Sequence, residues 1–244
     1  MKKKILTLII AIDGPEASGK GELAYALSQK LKILRIDSGA IYRAVAVYCL
    51  KNKISCSIEK DVIGSLSKIE IFQTPSTQLN RKVDVFLNGE DVSEDIRTSD
   101  ASKFSAVVAR YSEVRDFVTK IQRKIALSQD VVNEGRDIGT VVFPDATIKI
   151  FLTADILTRA KRRLEDYLRK GENKNLDDVI KMIQERDALD FTNLAYGGMR
   201  PADGAIVIDT SDKSVDDEVK IIEELLKSEH FLNLGKFFKK VLER

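Results

Sequence analysis

The sequence predicts an α/β fold built on a parallel sheet, and three observations carry that prediction. Short apolar runs that read as buried strands alternate with stretches of helical periodicity. The first run leads directly into Gly14-Pro15-Glu16-Ala17-Ser18-Gly19-Lys20, and that loop opens a helix with Leu23, Leu27 and Leu31 on one face. Of 244 residues, 43% are hydrophobic and 32% charged, the balance of a chain that buries a real core. The length suits one domain with embedded subdomains, or two small ones.

Taken in order, Ile5–Ile12 is the first strand. Lys2-Lys3-Lys4 before it imitates a secretory signal, but the run ends in Asp13-Gly14-Pro15 with no small-residue cleavage site. No stretch approaches the roughly 20 apolar residues of a membrane span. The expected compartment is the cytoplasm. Ile33–Ile36, Val131–Asn133, Ile148–Leu152 and Ala205–Ile208 are further buried strands. Between them, Lys68–Gln73 and Lys82–Leu87 alternate with period two, and Asn88-Gly89 turns the chain before Glu90-Asp91-Val92. That is an antiparallel insert in a parallel fold. Ser112 is the expected cap of a helix carrying Val114, Phe117, Val118, Ile121 and Ile125. Asp155 opens a second, highly charged helical insert that runs to about Met199, and Ser214-Val215-Asp216-Asp217 opens a last helix toward Leu226.

Composition removes several function classes. Cys49 and Cys56 are the only cysteines, too few for a disulfide framework, and read as reduced, half-buried thiols. The single histidine, His230, excludes a Ser-His-Asp hydrolase or a histidine-rich metal site. A formal charge of +2 gives no support to a nucleic-acid binder with a basic surface.

The loop from Gly14 to Lys20 has the spacing G-x-x-x-x-G-K. Its glycines let successive N–H groups face one anion, and the following helix adds its positive end. Lys20 would bring its ammonium to the β- and γ-phosphates. An ordinary glycine turn is the alternative, and the strand before and helix after argue against it. Gly21 and Glu22 follow the lysine. Glu22 suits a helix N-terminus but shares it with bound phosphates.

Two further segments resemble bacterial cytidylate kinases. Arg35-Ile36-Asp37-Ser38-Gly39-Ala40-Ile41-Tyr42-Arg43 is similar to that family's strand-to-helix motif in the acceptor site, and Glu134-Gly135-Arg136-Asp137-Ile138-Gly139-Thr140-Val141-Val142-Phe143-Pro144-Asp145-Ala146 to its longest signature. With the loop, the resemblance covers nearly the whole chain. It implies a three-layer P-loop NTPase fold: a parallel-sheet core, an antiparallel β insert on the acceptor side and a helical lid. The core would comprise residues 1–60, 106–154 and 200–244, the acceptor insert 61–105 and the lid 155–199.

The activity implied is transfer of the γ-phosphoryl group of ATP to CMP or dCMP, with Mg2+ held by phosphates and water and by Glu134. Lys20, Arg136, Arg159 and Arg163 would be catalytic. ATP would lie on Gly14, Pro15, Glu16, Ala17, Ser18, Gly19, Lys20, Gly21 and Glu22, with Arg159 and Arg162 covering it when the lid shuts. CMP would be held by Asp37, Ser38, Tyr42, Arg43, Arg115, Arg136, Asp137, Arg186 and Asp190. These residue types suit the chemistry, because phosphoryl transfer is mainly positioning and charge neutralisation, and arginine forks onto phosphate. Asp137 can accept from the cytosine amine, where uracil presents a second acceptor.

Without the resemblance, Arg43 and Arg136 could be loop ion pairs, Glu134 an exposed strand-end acid, and Arg159, Arg162 and Arg163 a solvated face opposite Leu157, Ala160, Leu164 and Leu168. Val179, Ile183, Arg186 and Asp190 stand at i, i+4, i+7 and i+11, so an inward apolar stripe continues into charges that need a polar cavity or partners. Departures from the family pattern are Glu22, Ala106 (with Ser105 adjacent), Asn193 and Gly197-Gly198. They leave open a kinase with shifted acceptor preference and a weakly active nucleotide-binding regulatory paralogue. The tail beyond Ser228, with Phe231, Leu234, Phe237, Phe238, Val241 and Leu242, is expected to pack on the core, the alternative being a self-association or membrane-surface helix. A monomer with no nucleic-acid or membrane partner is expected.

Overall fold

The computed structural model describes residues 7–78, 81–169, 171–192 and 198–227. Ile5 and Leu6 of the expected first strand, Asn193, Gly197, His230 and the tail beyond Ser228 lie outside them. The strands are β1 (Ile9–Asp13), β2 (Leu34–Asp37), β3 (Ile71–Pro75), β4 (Val83–Leu87), β5 (Glu90–Asp91), β6 (Val131–Gly135), β7 (Ile148–Thr153) and β8 (Ile206–Asp209). The helices are α1 (Lys20–Leu31), α2 (Ser38–Lys51), α3 (Glu59–Ser65), α4 (Ser99–Val108), α5 (Ser112–Ala126), α6 (Ile156–Arg169), α7 (Leu176–Thr192) and α8 (Val215–Lys227). All five expected parallel-sheet strands are present, four of them within a residue or two of their expected bounds; the first begins at Ile9, with Thr7 and Leu8 outside it. The fold is a parallel-sheet core with flanking helices and a separate antiparallel sheet, as expected.

The chain divides into two compact units and passes between them three times, after Leu8, after Ile33 and, within β6, after Asn133. Among the described residues, one unit holds Thr7, Leu8 and those between Leu34 and Asn133; the other holds Ile9–Ile33 and those between Glu134 and Lys227.

In the second unit the strands lie side by side in the order β1-β7-β8, both pairs parallel, with Ile10 opposite Ile148 and Ile150 opposite Ile206. Ile10, Ala11, Ile12, Ile150 and Leu152 are fully or almost fully buried, which is why β1 and β7 read as unbroken apolar runs. Leu23 and Leu27 seal α1 onto this core, and α8 packs beside α1. Ser214 begins α8 as expected: its hydroxyl receives the Asp217 N–H at 3.2 Å while the Asp217 carboxylate receives the Ser214 N–H.

The same unit carries α6 and α7, packed through Ala160, Val179 and Ile183 with Ile156, Leu164 and Tyr167 around them. Asp155 caps α6 by accepting from the Thr158 N–H at 2.8 Å. The apolar face differs from the expected one. Leu157 and Leu168 are exposed, whereas Arg159 is buried beside Ala160. Its guanidinium finds three acceptors, so a charged side chain takes the inward position that a leucine was expected to hold.

In the first unit β3-β4-β5 form the antiparallel sheet, with Ile71 opposite Leu87. Asn88 (φ 50°) and Gly89 (φ 84°) are both left-handed, the pair a two-residue hairpin needs. The first hairpin strand starts at Ile71 rather than Lys68, because Leu66–Lys68 winds into a 3-10 turn. The cap of α5 is Tyr111, not Ser112, whose hydroxyl donates to Glu113 instead. Cys49 and Cys56 are free as expected, yet fully rather than half buried.

Candidate active site

The phosphate loop follows β1 and is held in a shape few residues permit. Gly14 has φ 147°, and a Cβ there would stand 2.2 Å from the Leu152 carbonyl oxygen. Ala17 (φ 59°) and Gly19 (φ 93°) are both left-handed, so the loop curls before α1 begins at Lys20. The Lys20 ammonium bends back to donate to the Pro15 carbonyl at 2.5 Å and to the Ser18 hydroxyl at 3.4 Å. It is only 6% exposed. Burial first, and the nearby Arg136 second, push its pKa down to about 7, against the pull of Glu134, Glu16 and Asp13.

Asp13 closes β1 beneath the loop. Its two carboxylate oxygens accept the Ile138 and Gly139 N–H groups, each at 2.7 Å. Burial lifts its pKa to about 6 even though those two bonds favour the charged form. One carboxylate thus ties the phosphate loop to the turn that follows Arg136 and Asp137. Sequence reasoning passed over Asp13, although its place at the C-terminal end of a strand was a usable signal.

Five arginines of this unit are brought toward the loop or toward one another. Arg159 donates to the Ala154 and Glu16 carbonyls and pairs with Asp187 at 2.7 Å. Arg162 donates to the Thr210 carbonyl at 2.6 Å, the Thr210 hydroxyl at 3.0 Å and the Ala17 carbonyl at 3.5 Å. Arg163 pairs with Glu16 at 3.3 Å and lies over the Tyr167 ring. The three guanidinium groups of α6 therefore all contact the phosphate loop. Arg136 pairs with Asp190 at 2.9 Å, and Arg186 with the same carboxylate at 3.3 Å. That is the inward charge cluster expected at the end of the α7 stripe, here satisfied by mutual pairing.

Thr210 and Glu218 also border the loop, and sequence reasoning missed both. The buried Thr210 hydroxyl donates to the Ser18 carbonyl at 3.0 Å. Glu218, 2% exposed, brings a carboxylate oxygen to 3.8 Å from where a Cβ on Gly19 would sit. Burial raises its pKa to about 7, with Arg162 opposing. Glu22, in contrast, is exposed on α1.

The first unit gathers a second set. Asp37 caps α2 through the Ala40 N–H at 2.8 Å and pairs with Arg35 and Arg43 at 3.4 and 3.6 Å. Burial pushes its carboxyl up, but Arg43, Arg35, the Ala40 N–H and Arg97 hold it below the usual range. The buried Ser38 hydroxyl lies 3.0 Å from both the Gln122 and Asn133 side-chain oxygens. Arg115 sits 5.9 Å over the Tyr42 ring. Ser105 donates to the Ser102 carbonyl of its own helix.

Among the described residues, no cluster of three or more His, Cys, Asp or Glu could enclose a metal ion, and no helix is long and apolar enough to cross a membrane. Asp13 is committed to two N–H groups. Glu134, whose charge acts on Lys20 and Arg136, is one carboxylate that could hold a metal-bound water. Such a donor set fits a Mg2+ ion carried by phosphates rather than a protein cage.

A parallel sheet whose first strand feeds a curled loop, a buried lysine and an α-helix defines a phosphate-loop kinase fold, here with three arginines of α6 against the loop. Comparison with known proteins is specific. Residues 10–229 match the family model for cytidylate kinase, and the chain belongs to the cytidylate kinase family. Cytidylate kinase of Alkaliphilus oremlandii is 40% identical over 218 residues, 89% of this chain and 97% of the relative. Those of Caldanaerobacter subterraneus (41%, 91% and 96%) and Bacillus licheniformis (38%, 93% and 97%) are similar to the same extent.

Proposed function

We propose that this enzyme transfers the γ-phosphoryl group of ATP to CMP or dCMP, giving CDP or dCDP and ADP. The observation that carries the reading is a buried lysine in a phosphate loop flanked by arginines, in a chain whose relatives match over about nine-tenths of its length. An acceptor phosphate oxygen attacks the γ-phosphorus as the bond to the β–γ bridging oxygen breaks, so negative charge spreads over the phosphoryl oxygens. Lys20 and Arg136 neutralise that charge, and Arg159 and Arg163, both in contact with Glu16 of the loop, contribute to the same neutralisation. The loop N–H groups of Glu16, Ala17, Ser18 and Gly19 hold the ATP phosphates, with Gly14, Pro15, Gly21 and Glu22 shaping the backbone around them and Arg162 beside them. Magnesium, bound through phosphates and water with Glu134 near, would supply further neutralisation.

For the acceptor, Arg136, Arg186 and Asp190 serve phosphate and ribose, and Asp137 reads the cytosine amine. Asp37, Ser38, Tyr42, Arg43 and Arg115 are the first unit's acceptor residues. Residues 61–105 form the acceptor insert, 155–199 the lid, and 1–60, 106–154 and 200–244 the core. This reading goes with a cytoplasmic monomer needing neither nucleic acid nor membrane. A shifted acceptor preference or a regulatory role with little turnover is not favoured, since the relatives are named for the CMP reaction. A coupled assay with CMP, dCMP, UMP and AMP tests it. CMP should be phosphorylated about tenfold or more faster than UMP and AMP, because uracil sets a carbonyl against Asp137. Equal rates with UMP would sink the assignment of Asp137.

A further inference from the structure

An acidic side chain stands inside the loop meant to receive anions. The Glu16 carboxylate lies 3.3 Å from the Arg163 Nε, and the Glu16 carbonyl accepts from the Arg159 guanidinium at 3.3 Å. Its charge is felt at Lys20 and Arg136 as well. Those four cations are the groups assigned above to the transferring phosphoryl; Arg159 and Arg136 have carboxylate partners in Asp187 and Asp190, and Arg163 has Glu16. We propose that Glu16 is a resident counter-ion of the phosphate-transfer site, which occupies Arg163 while the nucleotide is away and must give way when polyphosphate binds. The proposal deepens the kinase reading and rests on it.

The physical consequence is a competition. A phosphate arriving at the loop must take Arg163 from Glu16 and then share the site with a displaced carboxylate. Both effects weaken nucleotide binding in the ground state. Glu16 is partly exposed, so water and salt soften the penalty, and about fivefold in affinity is expected rather than a hundredfold. The side chain also benefits the protein between turnovers, because it gives Arg163 a carboxylate partner. Removing its charge should therefore tighten anion binding while lowering the stability of the unliganded protein.

The test is calorimetric titration of the full chain and its Glu16→Gln and Glu16→Ala variants with pyrophosphate and with MgATP at low ionic strength. Glu16→Gln keeps the backbone carbonyl that Arg159 uses and the size of the side chain. Both variants should bind pyrophosphate about fivefold more tightly than wild type, and the difference should collapse in about 1 M salt, where the Debye length is about 3 Å. In steady state the gain should fall in KM for MgATP. Unchanged or weaker pyrophosphate binding by Glu16→Gln overturns the proposal, as does a difference that survives high salt. If only Glu16→Ala differs from wild type, side-chain packing rather than charge is responsible, and the proposal also fails. Pyrophosphate binding needs no acceptor, so this outcome stays separate from a failure to phosphorylate CMP.

Discussion

Lys20 sits under strain that its function requires, and replacing it should stabilise the unliganded protein. In Lys20→Met a neutral side chain of similar length fills the same buried space. The ammonium's pKa falls from 10.5 to about 7 on folding, chiefly through burial. At about 1.4 kcal/mol per tenfold change in proton affinity, that fall corresponds to an upper bound of about 5 kcal/mol. The lysine's bond to the Pro15 carbonyl returns about 1 kcal/mol, and relaxation around a buried charge removes more, so a net gain near 2 kcal/mol is expected for Lys20→Met at pH 7. In a chain of this length that is roughly 4–8 °C in Tm. The sign follows from proton counting. Between pH about 7 and 10.5 the unfolded chain holds a proton that native Lys20 has lost, so wild-type stability rises with pH across that window. The advantage of Lys20→Met should therefore shrink from pH 7 toward pH 10. Urea unfolding followed by circular dichroism measures this, the chain having no tryptophan. Phosphoryl transfer should fall by orders of magnitude in the same variant, since the lost charge acts on the transition state. A Lys20→Met protein less stable than wild type at pH 7, or equally advantaged at pH 10, would refute the account of a strained lysine.

Asp13 should show the opposite slope. Its folded value of about 6 lies above the ordinary 3.8, so stability falls as pH rises between those values, and Asp13→Asn should abolish that slope. The carboxamide can accept only one of the two N–H groups at Ile138 and Gly139, so kcat should drop about tenfold or more as the Arg136 turn loosens; an unaltered slope between pH 4 and 6 would count against the assignment. Gly14→Ala drives a Cβ into the Leu152 carbonyl and should cost about 3 kcal/mol or more, with loss of ATP binding. Gly204→Ala, left-handed at φ 73° but with open space, should cost only about 1 kcal/mol, and equal losses at the two sites would show that backbone angle rather than the close approach decides.

Much of the candidate site was legible because its parts are local. The G-x-x-x-x-G-K spacing, the Asn88-Gly89 turn, the Asp155 and Ser214 caps and the Val179-to-Asp190 stripe each depend on residues within a few turns of one another, and each stands where the pattern put it. Where local rules competed, the result was less certain. Tyr111 rather than Ser112 precedes α5, since the serine hydroxyl found Glu113. The α6 helix turned Arg159 inward and Leu157 outward because carbonyls and Asp187 await a guanidinium there.

By itself the sequence determined the order of the strands and of most helices, though not α3 or α4, together with the phosphate loop and the family, since those are written in periodicity and in contiguous motifs. Glu22 attracted attention in the sequence as the acid nearest the lysine, yet it is Glu16 that meets Arg163. Only the tertiary structure decided which charges meet. Asp13 reaches Ile138 across 125 positions and Arg159 reaches Glu16 across 143, and no spacing rule spans such distances. The pKa values of Lys20 and Asp13 are likewise products of burial. An ammonium or carboxylate becomes costly only when the fold removes its water, and that depends on everything packed around it.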